Sequence, residues 1–145
     1  MATLQNVQTR FTSVDRLKIA YRRFGKQSTL PLFYINHLRG SMDTLDPLLF
    51  NTIAKNREVI IYGSFGIGHS EGTVPDSTSV MASIAAKFLA AIGVVQADVI
   101  GFSMGGGIAQ ILAWDYPQLV HKLILAGTQS AIGEGVVTVV ASIPG

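Results

Sequence analysis

The sequence predicts a doubly wound α/β fold, a mostly parallel sheet preceded by an antiparallel hairpin. Three observations carry this expectation: an alternating N-terminal stretch, a later series of short runs apolar throughout, and helical spacing between those runs. The chain has 145 residues, 48% apolar and only 14% charged. That composition excludes a solvated or disordered coil, and the length suffices for one domain burying roughly two-thirds of its unfolded surface. No repeat, low-complexity tract or charged linker divides the chain, so residues 1–145 are expected to form a single unit.

The hairpin comes first. VQTRFTSV and LKIAYRRF meet near Asp15–Arg16, and Leu17, Ile19 and Tyr21 share one side while Lys18, Ala20 and Arg22 share the other. A period of two implies strands with one face in water. From residue 31 the apolar runs are Pro31–Asn36, Glu58–Gly63, Ala97–Phe102 and Lys122–Gly127. Strands apolar on both faces belong to a parallel sheet covered by helices on each side. Helical spacing appears at Asp43–Asn56 (Leu45, Leu48, Leu49, Ile53) and at Ser79–Ile92 (Val80, Ile84, Phe88, Ile92), the latter stopped by Gly93. It recurs at Ser103–Asp115 (Met104, Ile108, Ile111, Leu112), ended by Tyr116–Pro117. The order β-β-β-α-β-α-β-α-β calls for right-handed crossovers. Residues 128–145, with Gly133, Gly135 and VVTVV, are expected to be an irregular tail. The preceding strand, near Lys122–Gly127, would then leave an uncovered edge that invites self-association.

Composition also narrows the function. Eleven basic against nine acidic residues give +2, and Arg22–Arg23 is the single adjacent basic pair. A nucleic-acid partner is not expected. There is no cysteine, which removes disulfide scaffolds, thiolate metal sites and thiol nucleophiles. No apolar run reaches the ~18–20 residues of a membrane span, and no secretory leader is visible. The expectation is a soluble, cytoplasmic chain with no membrane partner, no metal and no cofactor.

The strongest chemical signal is Gly101-Phe102-Ser103-Met104-Gly105, a G-x-S-x-G between an apolar strand and an amphipathic helix. A serine there sits on a sharp strand-to-helix turn with its hydroxyl lifted clear. Gly101 and Gly105 flank it because larger side chains would strike neighbouring backbone. The start of the helix supplies free N–H groups to an oxygen gaining negative charge. Ser103 is the candidate nucleophile; the competing reading is a glycine-rich turn with an N-capping serine.

These residues resemble the α/β-hydrolase fold family around its nucleophile elbow, through GFSMGG, Pro117 and LVHKLILAGT. Asn36–Asp43 resembles the family's loop after the third strand, which carries a His-Gly motif. Gly63–Ser70 resembles its D-x-R-G-x-G-x-S loop. NHLRGSMD, G-x-G-x-S and TVPD look most like a microbial and fungal subgroup. The resemblance covers roughly residues 7–130 and implies a serine hydrolase acting on a small carboxylic ester or related acyl substrate. It assigns Ser103 as nucleophile and the Met104 N–H as one oxyanion donor. It places the second donor at Arg39, or else Leu38. Leu38 stands where the family has glycine, and Gly63 where it has aspartate, which implies a looser loop at 63–70. Serine rather than aspartate at the elbow argues against dehalogenase and epoxide chemistry.

A serine hydroxyl needs a histidine and an orienting carboxylate. In this fold both follow the nucleophile in the chain. After Ser103 stand Asp115, His121 and Glu134. Asp115 lies about 18 Å away along the helix, His121 is expected at the opposite sheet edge, and Glu134 reads as an exposed loop acid. The expectation is therefore a partial α/β-hydrolase core lacking the last strands and the lid. A chain of that kind is either a hydrolase or a non-catalytic binding chain of the same fold. His37 and His69, on loops at the same edge as Ser103, are the remaining conceivable bases. A phosphate-loop reading of Gly63–Ser70 fails because His69 replaces the lysine and 71–75 cannot start a helix.

Overall fold

A computed structural model describes residues 2–37 and 40–128. The elements run β1 (Arg10–Val14), β2 (Leu17–Gly25), β3 (Leu32–Ile35), a short 3-10 turn (Met42–Thr44), α1 (Pro47–Ala54), β4 (Glu58–Tyr62), α2 (Thr78–Ala91), β5 (Ala97–Phe102), α3 (Met104–Asp115) and β6 (Val120–Ala126). The described strands form one sheet in the order β1-β2-β4-β3-β5-β6. β1 and β2 are antiparallel, as are β2 and β4, while β4, β3, β5 and β6 run parallel. The doubly wound fold with its N-terminal hairpin is therefore what the chain adopts.

Local chemistry explains the joints. Val14 pairs with Leu17, leaving Asp15 (φ 50°) and Arg16 (φ 68°) as the two-residue turn whose left-handed backbone matches the strand twist. Asp46 caps α1 through Leu48 N–H with Pro47 in the first turn, and Ser77 caps α2 through Val80 N–H. Gly93 follows α2 at φ 79°.

Alternation along the central strands feeds two cores. Phe33, Ile35, Ile60, Tyr62 and Val99 pack with Phe88 and Leu89 of α2 and Ile108 and Leu112 of α3. Tyr34, Val59 and Ile61 face the other way, onto Phe50 and Ala54 of α1. So α1 covers one face and α2 with α3 the other.

Two expectations need correction. The face of β2 expected to be wet is covered beyond Lys18, which stays exposed: Ala20 and Phe24 are buried in the second core by Leu4, Met42 and Phe50. The cause is coverage by the N-terminal segment and the 3-10 turn, which a strand's own periodicity cannot reveal. The expected helix at 43–56 divides instead into the 3-10 turn and α1. It buries Phe50 and Ala54, while Leu48 is 77% exposed and Leu49 49%. Capping by Asp46 sets the helix start and rotates those leucines outward. Val80 of α2 is likewise half exposed.

The expected tail falls, from 129 to 145, outside the described residues. Among the described strands β6 is last in the sheet order, and its Leu123 is 37% exposed.

Candidate active site

The parallel strands end at one edge of the sheet, and the loops there collect most of the predicted residues. β5 ends at Phe102 and α3 begins at Met104, so Ser103 alone makes the bend, at φ 57° and ψ −120°. A non-glycine residue held at that backbone costs roughly 1–3 kcal/mol and persists only where its surroundings force it. Here the surroundings are explicit. The Ser103 N–H donates to Ala126 C=O at 3.0 Å, and its own C=O accepts from Gly106 N–H at 2.9 Å and Thr128 Oγ1 at 2.6 Å. Ser103 is exposed, and its side chain makes no capping hydrogen bond to the helix. The N-cap reading thus loses the bond that defines it.

The flanking glycines are required by close approach. A Cβ on Gly101 would strike the backbone of Gly105, and one on Gly105 would strike the carbonyl oxygens of Ile35 and Asn36. The helix N-terminus is thereby pressed directly onto the end of β3. Met104, first residue of α3, has no carbonyl one turn back within the helix to receive its N–H.

A cavity of about 40 Å³ lies beside this bend, lined among others by Ile35, Asn36, His37, Tyr62, Ile67 and Met104. Ser64 also lines it, and the Ser64 hydroxyl is buried without a hydrogen-bond partner. Burial pushes the Tyr62 hydroxyl far up, keeping it protonated.

The three histidines go to different places. The His37 ring meets Phe102 edge to face, centroids 5.8 Å apart, so it stands next to the residue preceding Ser103. His69 sits with its Nε2 3.7 Å from Asp43 Oδ2. His121 Nδ1 lies 2.8 Å from Asp98 Oδ1 at the other edge, where the parallel strands start. Asp115, the last residue of α3, is a helix length from the bend. Leu38, Arg39 and Glu134 lie outside the described residues. Among the described residues no group of three or more His, Asp or Glu could hold a metal ion. Nor is any described helix long and apolar enough to cross a membrane.

The loop at 63–70 is also not the loose segment expected from Gly63. Gly63 N–H bonds Ala20 C=O at 3.0 Å, and its C=O accepts from Ser70 Oγ at 2.6 Å. A Cβ at 63 would stand 2.8 Å from the Ile67 carbonyl oxygen. Glycine here lets the loop fold tightly back on itself.

Sequence reasoning missed one charged cluster altogether. Asp98, read as part of an apolar strand, is buried between Arg57 (Nη2–Oδ2 2.9 Å) and His121. Opposite Asp98, β6 carries two residues, His121 and Lys122, between the pairs Ala97–Val120 and Val99–Leu123. That bulge turns His121 onto the carboxylate. The available signal was a single acid inside an otherwise apolar run.

With the strained serine between a parallel strand and a helix now established, the comparisons with known proteins agree. An alpha/beta hydrolase fold family model matches residues 37–145. The chain belongs to the alpha/beta hydrolase fold family. It is 34% identical over 128 residues, 86% of this chain and 32% of the relative, to the dihydrolipoyllysine-residue acetyltransferase component of the acetoin cleaving system of Cupriavidus necator. It is 33% identical to a poly(3-hydroxyalkanoate) depolymerase of Ectopseudomonas oleovorans, over 73% of this chain and 38% of that one. An alpha/beta hydrolase fold protein from Chitinophaga pinensis superposes with a TM-score of 0.83 at 36% identity, covering 86% of this chain and 45% of that one. The chain spans about a third of the length of these curated relatives.

Proposed function

We propose that Ser103 is the nucleophile of a serine hydrolase acting on a carboxylic ester or related acyl bond of a small molecule. The observation that carries this reading is the backbone of Ser103, the left-handed bend at φ 57° that presents an exposed hydroxyl at the start of α3. In the proposed reaction Ser103 Oγ bonds to the carbonyl carbon while its proton passes to a base. The carbonyl oxygen gains negative charge and meets the Met104 N–H, with a second N–H from Leu38 or Arg39. Collapse expels the alcohol, protonated as it leaves, and water then hydrolyses the acyl-serine. Similarity to a depolymerase and to a 2-hydroxymuconate semialdehyde hydrolase supports hydrolysis as the reaction class.

A second reading is favoured by His121. This histidine, which follows Ser103 in the order a base should, is bonded to Asp98 at the opposite sheet edge. A chain that binds an acyl ligand at the bend without turning it over fits that placement. Incubating the chain with an alkyl fluorophosphonate and weighing it intact separates the readings. The hydrolase reading expects one adduct per chain, absent in Ser103→Ala, together with release of p-nitrophenol from p-nitrophenyl acetate. An adduct without turnover assigns the binding reading. No adduct, or one that survives in Ser103→Ala, removes Ser103 from the chemistry.

A further inference from the structure

We propose that Thr128 is a positioning residue: its buried hydroxyl holds the carbonyl of Ser103 and, through the rigid peptide that joins Ser103 to Met104, fixes the direction of the Met104 N–H. The proposal rests on the Ser103 reading above and adds to it the device that keeps the peptide after the nucleophile in place.

The end of β6 grips Ser103 at both of its backbone polar groups. The Ser103 N–H donates to Ala126 C=O at 3.0 Å, and Ala126 is the last residue of β6, paired with Phe102. Two residues on, Thr128 Oγ1 lies 2.6 Å from the Ser103 carbonyl oxygen. A carbonyl only accepts, so the threonine hydroxyl is the donor. Gly127 between them turns at φ 56°, a left-handed backbone that glycine adopts without strain. That turn lets Thr128 come back onto the residue that Ala126 already holds. The Ser103 carbonyl also accepts Gly106 N–H at 2.9 Å, so the hydroxyl takes the second lone pair of an oxygen bonded within the helix start.

Planarity of the peptide carries this grip one residue further. The Ser103–Met104 bond is trans, so Ser103 C=O and Met104 N–H share a plane and point in opposite directions. Rotation about ψ of Ser103 swings the two together, and a hydroxyl that holds one holds the other. Such a hold is needed, because φ 57° with ψ −120° is a backbone from which serine relaxes unless its surroundings prevent it. The side chain is built to resist that motion. Thr128 is 6% exposed, and a Cβ on Gly106 would strike its side chain, so it is wedged against α3. Its branched Cβ makes χ1 stiff, which keeps the hydroxyl on the carbonyl. Valine has the same branched shape, so the hydroxyl is the part of the side chain that packing does not explain.

The test uses the 145-residue chain and saturation kinetics of an alkyl fluorophosphonate, with Ser103→Ala to show where the label sits. In that reaction the Ser103 Oγ–P bond forms, the P–F bond breaks, fluoride leaves and the hydroxyl proton passes to a general base. Removing an oxyanion donor slows such steps about 10²–10³-fold, and misdirecting one costs less. Thr128→Val keeps the branched shape and loses the donor, and is expected to lower the maximal labelling rate about tenfold. The half-saturating probe concentration should stay within twofold, because the hydroxyl acts on the charged transition state and not on probe binding. Thr128→Ser keeps the donor on a looser χ1 and should stay within about threefold of the parent. If Thr128→Val does not fold, Thr128→Ser and Thr128→Ala decide, since they differ from each other by the hydroxyl alone. Serine should then label at least about fivefold faster than alanine. Equal maximal rates in parent and Thr128→Val, or in the serine and alanine variants, overturn the role of Thr128 while leaving Ser103 as nucleophile. A loss confined to half-saturation assigns Thr128 to binding and also overturns it. A parent chain that takes no label overturns the Ser103 reading and, with it, this one.

Discussion

The two edges of the parallel sheet are built on opposite principles. Where the strands begin, charge is met by charge: Asp98 lies between Arg57 and His121, and Arg57 also donates to the Leu30 carbonyl at 2.7 Å. Backbone geometry there is ordinary apart from the bulge that aims His121. Where the strands end, few charges are engaged and the work falls on backbone. Ser103 is bent into the left-handed region, glycines admit contacts that no side chain could, and a cavity opens beside the bend. The difference teaches where to look for chemistry. In the ion network the carboxylate is already bonded to Arg57 and His121, whereas at the other edge a strained serine stands exposed at the start of a helix.

The largest effect is expected where backbone meets backbone. Gly105→Ala places a methyl carbon on the Ile35 and Asn36 carbonyl oxygens, and neither β3 nor α3 can retreat without opening the elbow. A loss of about 3 kcal/mol or more is expected, or no folded protein. Gly107→Ala is the matched control, two residues along the same helix, with nothing within 4 Å of its Cβ. There alanine should stabilise by about 0.5–1 kcal/mol through helix propensity. Thermal melts of the two variants would break the comparison if they moved together.

Next in size is the other edge. Asp98→Asn removes the carboxylate that answers Arg57 and His121, and Arg57 already has a buried Nε without a partner. A cost of about 2–3 kcal/mol at neutral pH is expected from urea midpoints. Burial alone would raise the Asp98 carboxyl, but hydrogen bonds from Arg57 and His121 outweigh it and hold the group below its usual 3.8. A depressed carboxylate contributes in full above its unfolded value and is lost as pH falls through the folded one. The gap between parent and variant should therefore persist from neutral pH down to about pH 4 and close below it. A gap constant through that range would show that Asp98 acts by packing rather than charge.

How much of this was legible in the sequence follows the same division. The elbow announces itself because a strained serine needs glycines at fixed offsets, and Gly101 and Gly105 stand in the chain as written. The hairpin turn at Asp15–Arg16 and the stop at Gly93 are readable for the same local reason. Contacts that join distant segments leave no such mark. Asp98 and Arg57 are 41 residues apart, and nothing near either one names the other. Leu48 and Leu49 obey helical spacing yet face outward, because Asp46 chooses the helix start and the core chooses Phe50. Asn36 reads only as part of the NHLRGSMD stretch, and its bond to the Ser41 carbonyl leaves no mark in the sequence.

The smallest effect sharpens the comparison most, because it repeats the chemistry of Asp98 at the opposite edge. Asp43 Oδ1 pairs with Arg22 at 2.7 Å, a shorter contact than that between Arg57 and Asp98 at 2.9 Å. The Arg22 hydrogen bond holds the Asp43 carboxyl below its ordinary range, as Arg57 and His121 do for Asp98. Distance alone would rank the two pairs together. Exposure separates them: the Asp43 side chain is 59% accessible and the Asp98 side chain 8%. Water and salt screen the exposed pair, so Asp43→Asn should cost no more than about 0.5 kcal/mol and fade further at high ionic strength. Losing His69 as a neighbour changes little, since that imidazole is itself 58% exposed at 3.7 Å. Urea midpoints of Asp43→Asn and Asp98→Asn at low and high salt decide the point. Equal losses in the two would mean that burial does not set the worth of an arginine–aspartate pair in this protein, and the contrast between its edges would have to be drawn on backbone strain alone.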